Sequence, residues 1–169
     1  MNKVWPGSML AVAVLATACS GPGSVKHSIE EVGWELVTDA HAVIVEEETP
    51  DLQIELKGDT DIPCSDDAEP ETFKRVFRAT WNDTRTITPE TVYVATLVWN
   101  GRFRDIGYTF REDVDFQTRI KQGLEDVAIE DLMTRKRLGI TVTLRVQIAA
   151  PNVSIDMSTP CLGKASSDS

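Results

Sequence analysis

Histidine is scarce in this chain, basic residues are outnumbered, and no apolar run is long enough to span a bilayer. Only His27 and His41 occur, and they do not share a helical turn, so a zinc site of the paired-histidine kind has no ligands to draw on. Lys and Arg number 17 against 27 Asp and Glu, a formal charge of −10. That disfavours nucleic acid as a partner, because a phosphate backbone calls for a basic footprint. The longest nearly apolar stretch, Met9 to Ala18, is about half of the ~20 residues that a transmembrane helix needs. Neither a nucleophile elbow nor a phosphate-cradling glycine loop is present. The sequence therefore offers no catalytic residue and implies no cofactor.

What is present begins at the amino terminus. Lys3, the apolar run, the small residues Ala16-Thr17-Ala18 and then Cys19 stand in the order of a bacterial lipoprotein signal peptide. On this reading residues 1–18 are removed, and Cys19 carries acyl chains that hold the protein on the outer face of the cell membrane. Ala16-Thr17-Ala18 also satisfies the rule for plain secretory cleavage, which would release a soluble protein instead. Residues 19–27, with Ser20-Gly21-Pro22-Gly23-Ser24, have the composition of a tether. Residues 28–163 then form one domain and 164–169 a polar, disordered tail. Residues 1–18 carry Lys3 and no acid, so the mature chain has a formal charge of −11. Such acidity opposes lying flat on an anionic lipid surface.

Three cysteines are an odd number for an exported chain. If Cys19 is acylated, Cys64 and Cys161 remain as one disulfide pair in a compartment where disulfides persist. Two unpaired buried cysteines are the alternative, and a metal site is disfavoured because no further cysteine or histidine lies at ligand spacing.

Ser28 with Glu31 reads as a capping box. Ile29, Val32, Leu36, Val37, Ala40, Val43 and Ile44 follow at helical spacing. Alternation predicts a strand at 52–57, with Leu52, Ile54 and Leu56 on one face, and another at 73–81 interrupted by Arg75. Thr88-Pro89-Glu90 opens a second helix, whose stripe is Val92, Ala95, Trp99, Phe103 and Ile106, ending near Gly107. From Tyr108 the period changes to two, and Tyr108, Phe110, Val114, Phe116 and Ile120 share one parity. Residues 124–133 fit helix and strand, with strand preferred. Residues 140–148 alternate most clearly, and Ala150-Pro151-Asn152 turns the chain into a return strand through Val153, Ile155 and Met157. Each strand has one wet side, so the fold class is α+β: a two-layer sandwich of mostly antiparallel sheet with both helices packed on one face.

The anchor cysteine, the capped first helix, Cys64 after an early strand, the helix from Thr88 to Gly107-Tyr108 and the closing Ser158-Thr159-Pro160-Cys161 resemble the small cysteine-anchored lipoproteins of actinobacteria, of the LppA type in mycobacteria. The resemblance implies a cell-envelope lipoprotein with a disulfide tying an early loop to the carboxy-terminal strand, and it implies no catalytic residues.

Bland readings are preferred for the remaining features. Trp34, Trp81 and Trp99 are expected in the core, and His41 as a partly buried structural residue beside the first stripe. Asp59, Asp61, Asp66 and Asp67 lack the glycine and terminal glutamate of a calcium loop, so no metal is assigned. Arg135-Lys136-Arg137 reads as a solvated hairpin turn. Two functions follow: a non-enzymatic binding module whose partner is an envelope protein or wall polymer, or a carrier of an apolar ligand such as a lipid between sheet and helices. An exposed apolar patch over a packed core favours the first, and a lined cavity the second.

Overall fold

Ser28 starts the first helix. Its Oγ accepts a hydrogen bond from Glu31 N at 3.3 Å, and α1 runs from Ile29 to Val43. Only half of the expected capping box forms, since the Glu31 carboxylate lies 3.0 Å from His27 Nδ1. Ile29 N donates to Gly163 O at 3.0 Å, which satisfies one of the free amides of the helix start. The computed structural model describes residues 27–44, 49–65, 71–84, 88–110 and 128–165. Cys19 and the tether up to residue 26, Asp66 and Asp67, Val114 to Ile120 and residues 124–127 lie outside them.

Thr88 caps the second helix, α2, from Pro89 to Asp105, in a reciprocal capping box with Thr91. The strands are β1 (Gln53–Lys57), β2 (Ile62–Pro63), β3 (Phe73–Lys74), β4 (Val76–Trp81), β5 (Thr109–Phe110), β6 (Ala128–Arg135), β7 (Ile140–Gln147) and β8 (Val153–Ser158). Among the described residues they form a six-stranded sheet in the order β1-β4-β8-β7-β6-β5 and a two-stranded β2-β3 sheet, all pairs antiparallel. The expected α+β sandwich is the observed fold.

Register explains how one face becomes the core. Phe77, Ala79 and Trp81 lie opposite Met157, Ile155 and Val153, which lie opposite Val142, Leu144 and Val146. Those in turn face Met133, Asp131 and Ile129. Period-two alternation places this grid on one side, where the stripes Val32-Leu36-Ala40-Val43 and Val92-Ala95-Trp99-Phe103 complete a single buried cluster. Each fully buried aliphatic or aromatic side chain there contributes about 1.5–3 kcal/mol. Trp81 and Trp99 meet edge to face at 4.8 Å between centroids, as do Phe103 and Tyr108 at 5.4 Å.

Three sequence expectations are corrected. The 73–81 strand is two: β3 pairs with β2 and β4 with the main sheet, and the chain switches between them at Arg75. Arg75 N donates to Thr159 Oγ1 and Thr159 N to Arg75 O, each at 3.0 Å. In β1 the register shifts between Ile54 and Leu56, so Ile54 opposes inward Ala79 while Leu56 opposes outward Arg78. A bulge thus undoes the parity the sequence suggests. Both side chains stay more than one-third exposed at this sheet edge. Gly58 follows with φ +74, where a Cβ would sit 2.7 Å from Leu36 Cδ2, so only glycine fits both the backbone and the space. The third correction is Lys164, not a free tail residue: it lies over the Phe73 ring at 4.4 Å, while Ala165 N donates to Glu30.

Candidate functional site

Among the described residues three carboxylates are buried in or beside the core: Asp39, Asp83 and Asp131. Asp39 occupies the α1 stripe, three residues after Leu36. Tyr108 Oη donates to its Oδ2 at 2.9 Å, and Arg135 Nη1 donates to Oδ1 and Oδ2 at 2.7 and 2.6 Å. Arg135 also donates to Glu35 at 3.2 Å. Burial is the largest influence on Asp39 and holds its carboxyl above the usual carboxylate range, against the lowering hydrogen bonds from Arg135 and Tyr108. Burial likewise pushes the Tyr108 hydroxyl up, reinforced by the Asp39 charge. For Arg135, desolvation pulls downward but the bonds and charge of Asp39 outweigh it, leaving the guanidinium raised.

Asp131 enters the core from the inward parity of β6, and Asn100 Nδ2 of α2 donates to its Oδ2 at 2.6 Å. Asn100 Oδ1 is buried without a hydrogen-bond partner. Asp83 accepts from Trp99 Nε1 at 3.0 Å, while the Asn152 side chain bonds both the N–H and the C=O of Asp83. An amide side chain here imitates a strand rung and joins the end of β4 to the start of β8.

Cys64 and Cys161 form a disulfide, with Cα atoms 6.1 Å apart across 97 residues of sequence. Asp61 is taken up by Arg75 Nε at 2.8 Å and Lys164 Nζ at 3.9 Å, and Asp59 accepts from Thr60. Among the described residues no group of three His, Cys, Asp or Glu is placed to hold a metal, and no helix is long and apolar enough to cross a membrane. His41 is exposed, not partly buried, with its ring edge-on to Phe77 at 6.1 Å. Arg135 is not part of a solvated turn: it closes β6 and locks onto α1, leaving Lys136 and Arg137 in the turn.

Comparison of the chain with protein-family models, with curated proteins and with solved structures finds no match to any of them.

The largest departure from the sequence expectation is on the outer surface. Trp34 is 71% exposed. It sits two residues from both Val32 and Leu36, about 200° around the helix from each, and therefore faces away from the stripe they define. Val94 and Leu97 of α2, three residues apart and so on one helical face, are also exposed. Apolar surface thus remains outside the helix layer while the inward faces are buried.

On the opposite side the sheet carries Arg78, Thr80, Ser154, Asp156, Ser158, Thr141, Thr143, Arg145 and Glu130. Arg78 pairs with Asp156 and Arg145 with Glu130 across strands. Val76 and Leu132 share this mostly polar face, half-buried among its paired charges.

Proposed function

We propose that this chain is an exported envelope protein, acylated at Cys19, held on the outer face of the membrane, and acting as a non-enzymatic binding module. The observation that carries the binding reading is the apolar surface left on α2 at Val94 and Leu97 above a buried core. Val94 and Leu97 share one helical face, and exposed apolar side chains grouped in this way are what a partner surface can cover. The disulfide supports export, since such bonds persist in oxidising compartments. The resemblance to small cysteine-anchored lipoproteins supports the anchor.

The test has two arms. Cys19→Ala moves the protein from the membrane fraction to the medium, and the native protein carries an acyl mass on its first residue. Val94→Ser with Leu97→Ser abolishes recovery of the copurifying envelope partner without changing anchoring or folding. Retention of the Cys19→Ala chain at the membrane argues against the anchor. A bound lipid in stoichiometric amount, with the partner indifferent to the α2 substitutions, argues for the carrier.

A further inference from the structure

We infer that the Trp34 face of α1 rests on the lipid surface that holds the anchor, as an interfacial contact that fixes which side of the domain faces away. This rests on the acylation of Cys19 proposed above. Trp34 has the largest of the exposed apolar side chains among the described residues. An indole ring, apolar with one polar N–H, is suited to the boundary between headgroups and acyl chains.

Chain length brings it there. Ser28 stands nine positions after Cys19, a stretch that whatever its conformation reaches at most about 30 Å. Trp34 stands six residues further on, about 9 Å along the helix axis. An indole this close to the anchor meets the bilayer at the high effective concentration of an intramolecular contact, so a weak apolar contact suffices.

Charge selects the kind of lipid. Glu30, Glu31 and Glu35 neighbour Trp34 on α1, and each carboxylate is turned to a protein partner: Ala165 N at 3.1 Å, His27 at 3.0 Å and Arg135 at 3.2 Å respectively. Three acidic side chains beside the indole suit the contact to a zwitterionic surface, and an anionic one weakens it.

The other tryptophans make the experiment clean. Trp81 and Trp99 are fully buried, and Trp5 lies in the signal, so Trp34 is the exposed tryptophan of the mature chain. The acylated protein is reconstituted in phosphatidylcholine vesicles with brominated acyl chains. Its fluorescence should be quenched by the bromolipid and become several-fold less accessible to aqueous iodide. Trp34→Ser should remove that quenched component, and replacing phosphatidylcholine with phosphatidylglycerol should restore iodide access. An acylated protein whose Trp34 stays open to iodide on these vesicles overturns the contact and leaves the anchor standing. Protection on native membrane vesicles but not on pure lipid also overturns it, by assigning Trp34 to a protein partner. A Cys19 without acyl mass overturns the anchor and the contact together.

Discussion

Arg135 at the end of β6 places one nitrogen, Nη1, within 2.7 Å of both carboxylate oxygens of Asp39 on α1. The pair fastens the first helix to the far side of the sheet, next to the edge strand β5. Asp39 is 5% exposed, so removing Arg135 leaves a nearly buried carboxylate with only Tyr108 to answer it. Arg135→Ala is expected to cost about 2 kcal/mol, in the range of hydrogen bonds to charged groups, and Tyr108→Phe about 1 kcal/mol. Urea denaturation reads both, and an Arg135→Ala variant as stable as the native protein would refute the role given to the pair.

The same carboxylate gives a pH dependence with a definite sign. Its folded pKa is raised above the ordinary value of 3.8, burial being the main cause. The folded state therefore binds the Asp39 proton more tightly than the unfolded state does. The stability this confers is fully present below pH 3.8 and declines as pH rises through the folded pKa. Glu30 and Glu90, at the two helix starts, have lowered pKa values from backbone amide hydrogen bonds, so their contribution is lost as pH falls. Asp39→Asn removes only the first effect. The stability difference, native minus variant, should be most favourable to the native protein at low pH and shrink as pH rises. A difference that widens with pH would contradict the raised pKa.

Much of this architecture is legible in the sequence because each helix stripe and each long strand serves one face. Leu36 and Ala40, or Val142 and Leu144, are buried for the same periodic reason that identifies their element. The misses have local causes. Residue type puts Trp34 in the core, but its offset from Leu36 points it outward. Asp39 and Asp131 lie on apolar stripes, a signal that acid-rich composition masks. The β1 bulge has no sequence mark, since Glu55 between Ile54 and Leu56 reads as ordinary alternation. The partners of Arg75 and Arg135 lie across the fold, Thr159 and Asp39, and no local pattern announces them.

The Cys64–Cys161 bridge closes a loop of 97 residues, and it ties the loop after β2 to the segment after β8. In the chain-entropy treatment a loop near that length is worth at most ~4.7 kcal/mol, and native bridges in small secreted domains are worth about 2–5 kcal/mol. Cys64→Ala with Cys161→Ala should lower stability by about 3 kcal/mol. Phe73 and Leu162 exchange backbone hydrogen bonds beside the bridge, N–H to O at 2.8 and 2.9 Å. Amide exchange should therefore accelerate most at those two residues. Acceleration of the main-sheet amides alone, with Phe73 and Leu162 exchanging as before, would refute the local hold of the bridge on this flap.

Two glycines inside helices make opposite predictions for one substitution. Gly101 in α2 has no atom within 4 Å of where a Cβ would stand. Ala there removes backbone entropy from the unfolded chain at no steric cost, so Gly101→Ala should stabilise by about 0.5–1 kcal/mol. Gly33 in α1 is covered by the Arg75 side chain, whose Cδ lies 2.4 Å from that position. Arg75 is not free to retreat, because its Nε donates to Asp61 at 2.8 Å and its backbone is paired with Thr159. A methyl group at Gly33 must displace the guanidinium from Asp61 or push α1 from the β3–β4 junction. Gly33→Ala should therefore destabilise by about 1–3 kcal/mol, as overpacked sites do, despite the better helix propensity of alanine. Asp61→Ala frees the arginine head, and in that background the cost of Gly33→Ala should shrink. Equal costs in the two backgrounds would show that the Arg75–Asp61 pair does not hold the side chain over the glycine.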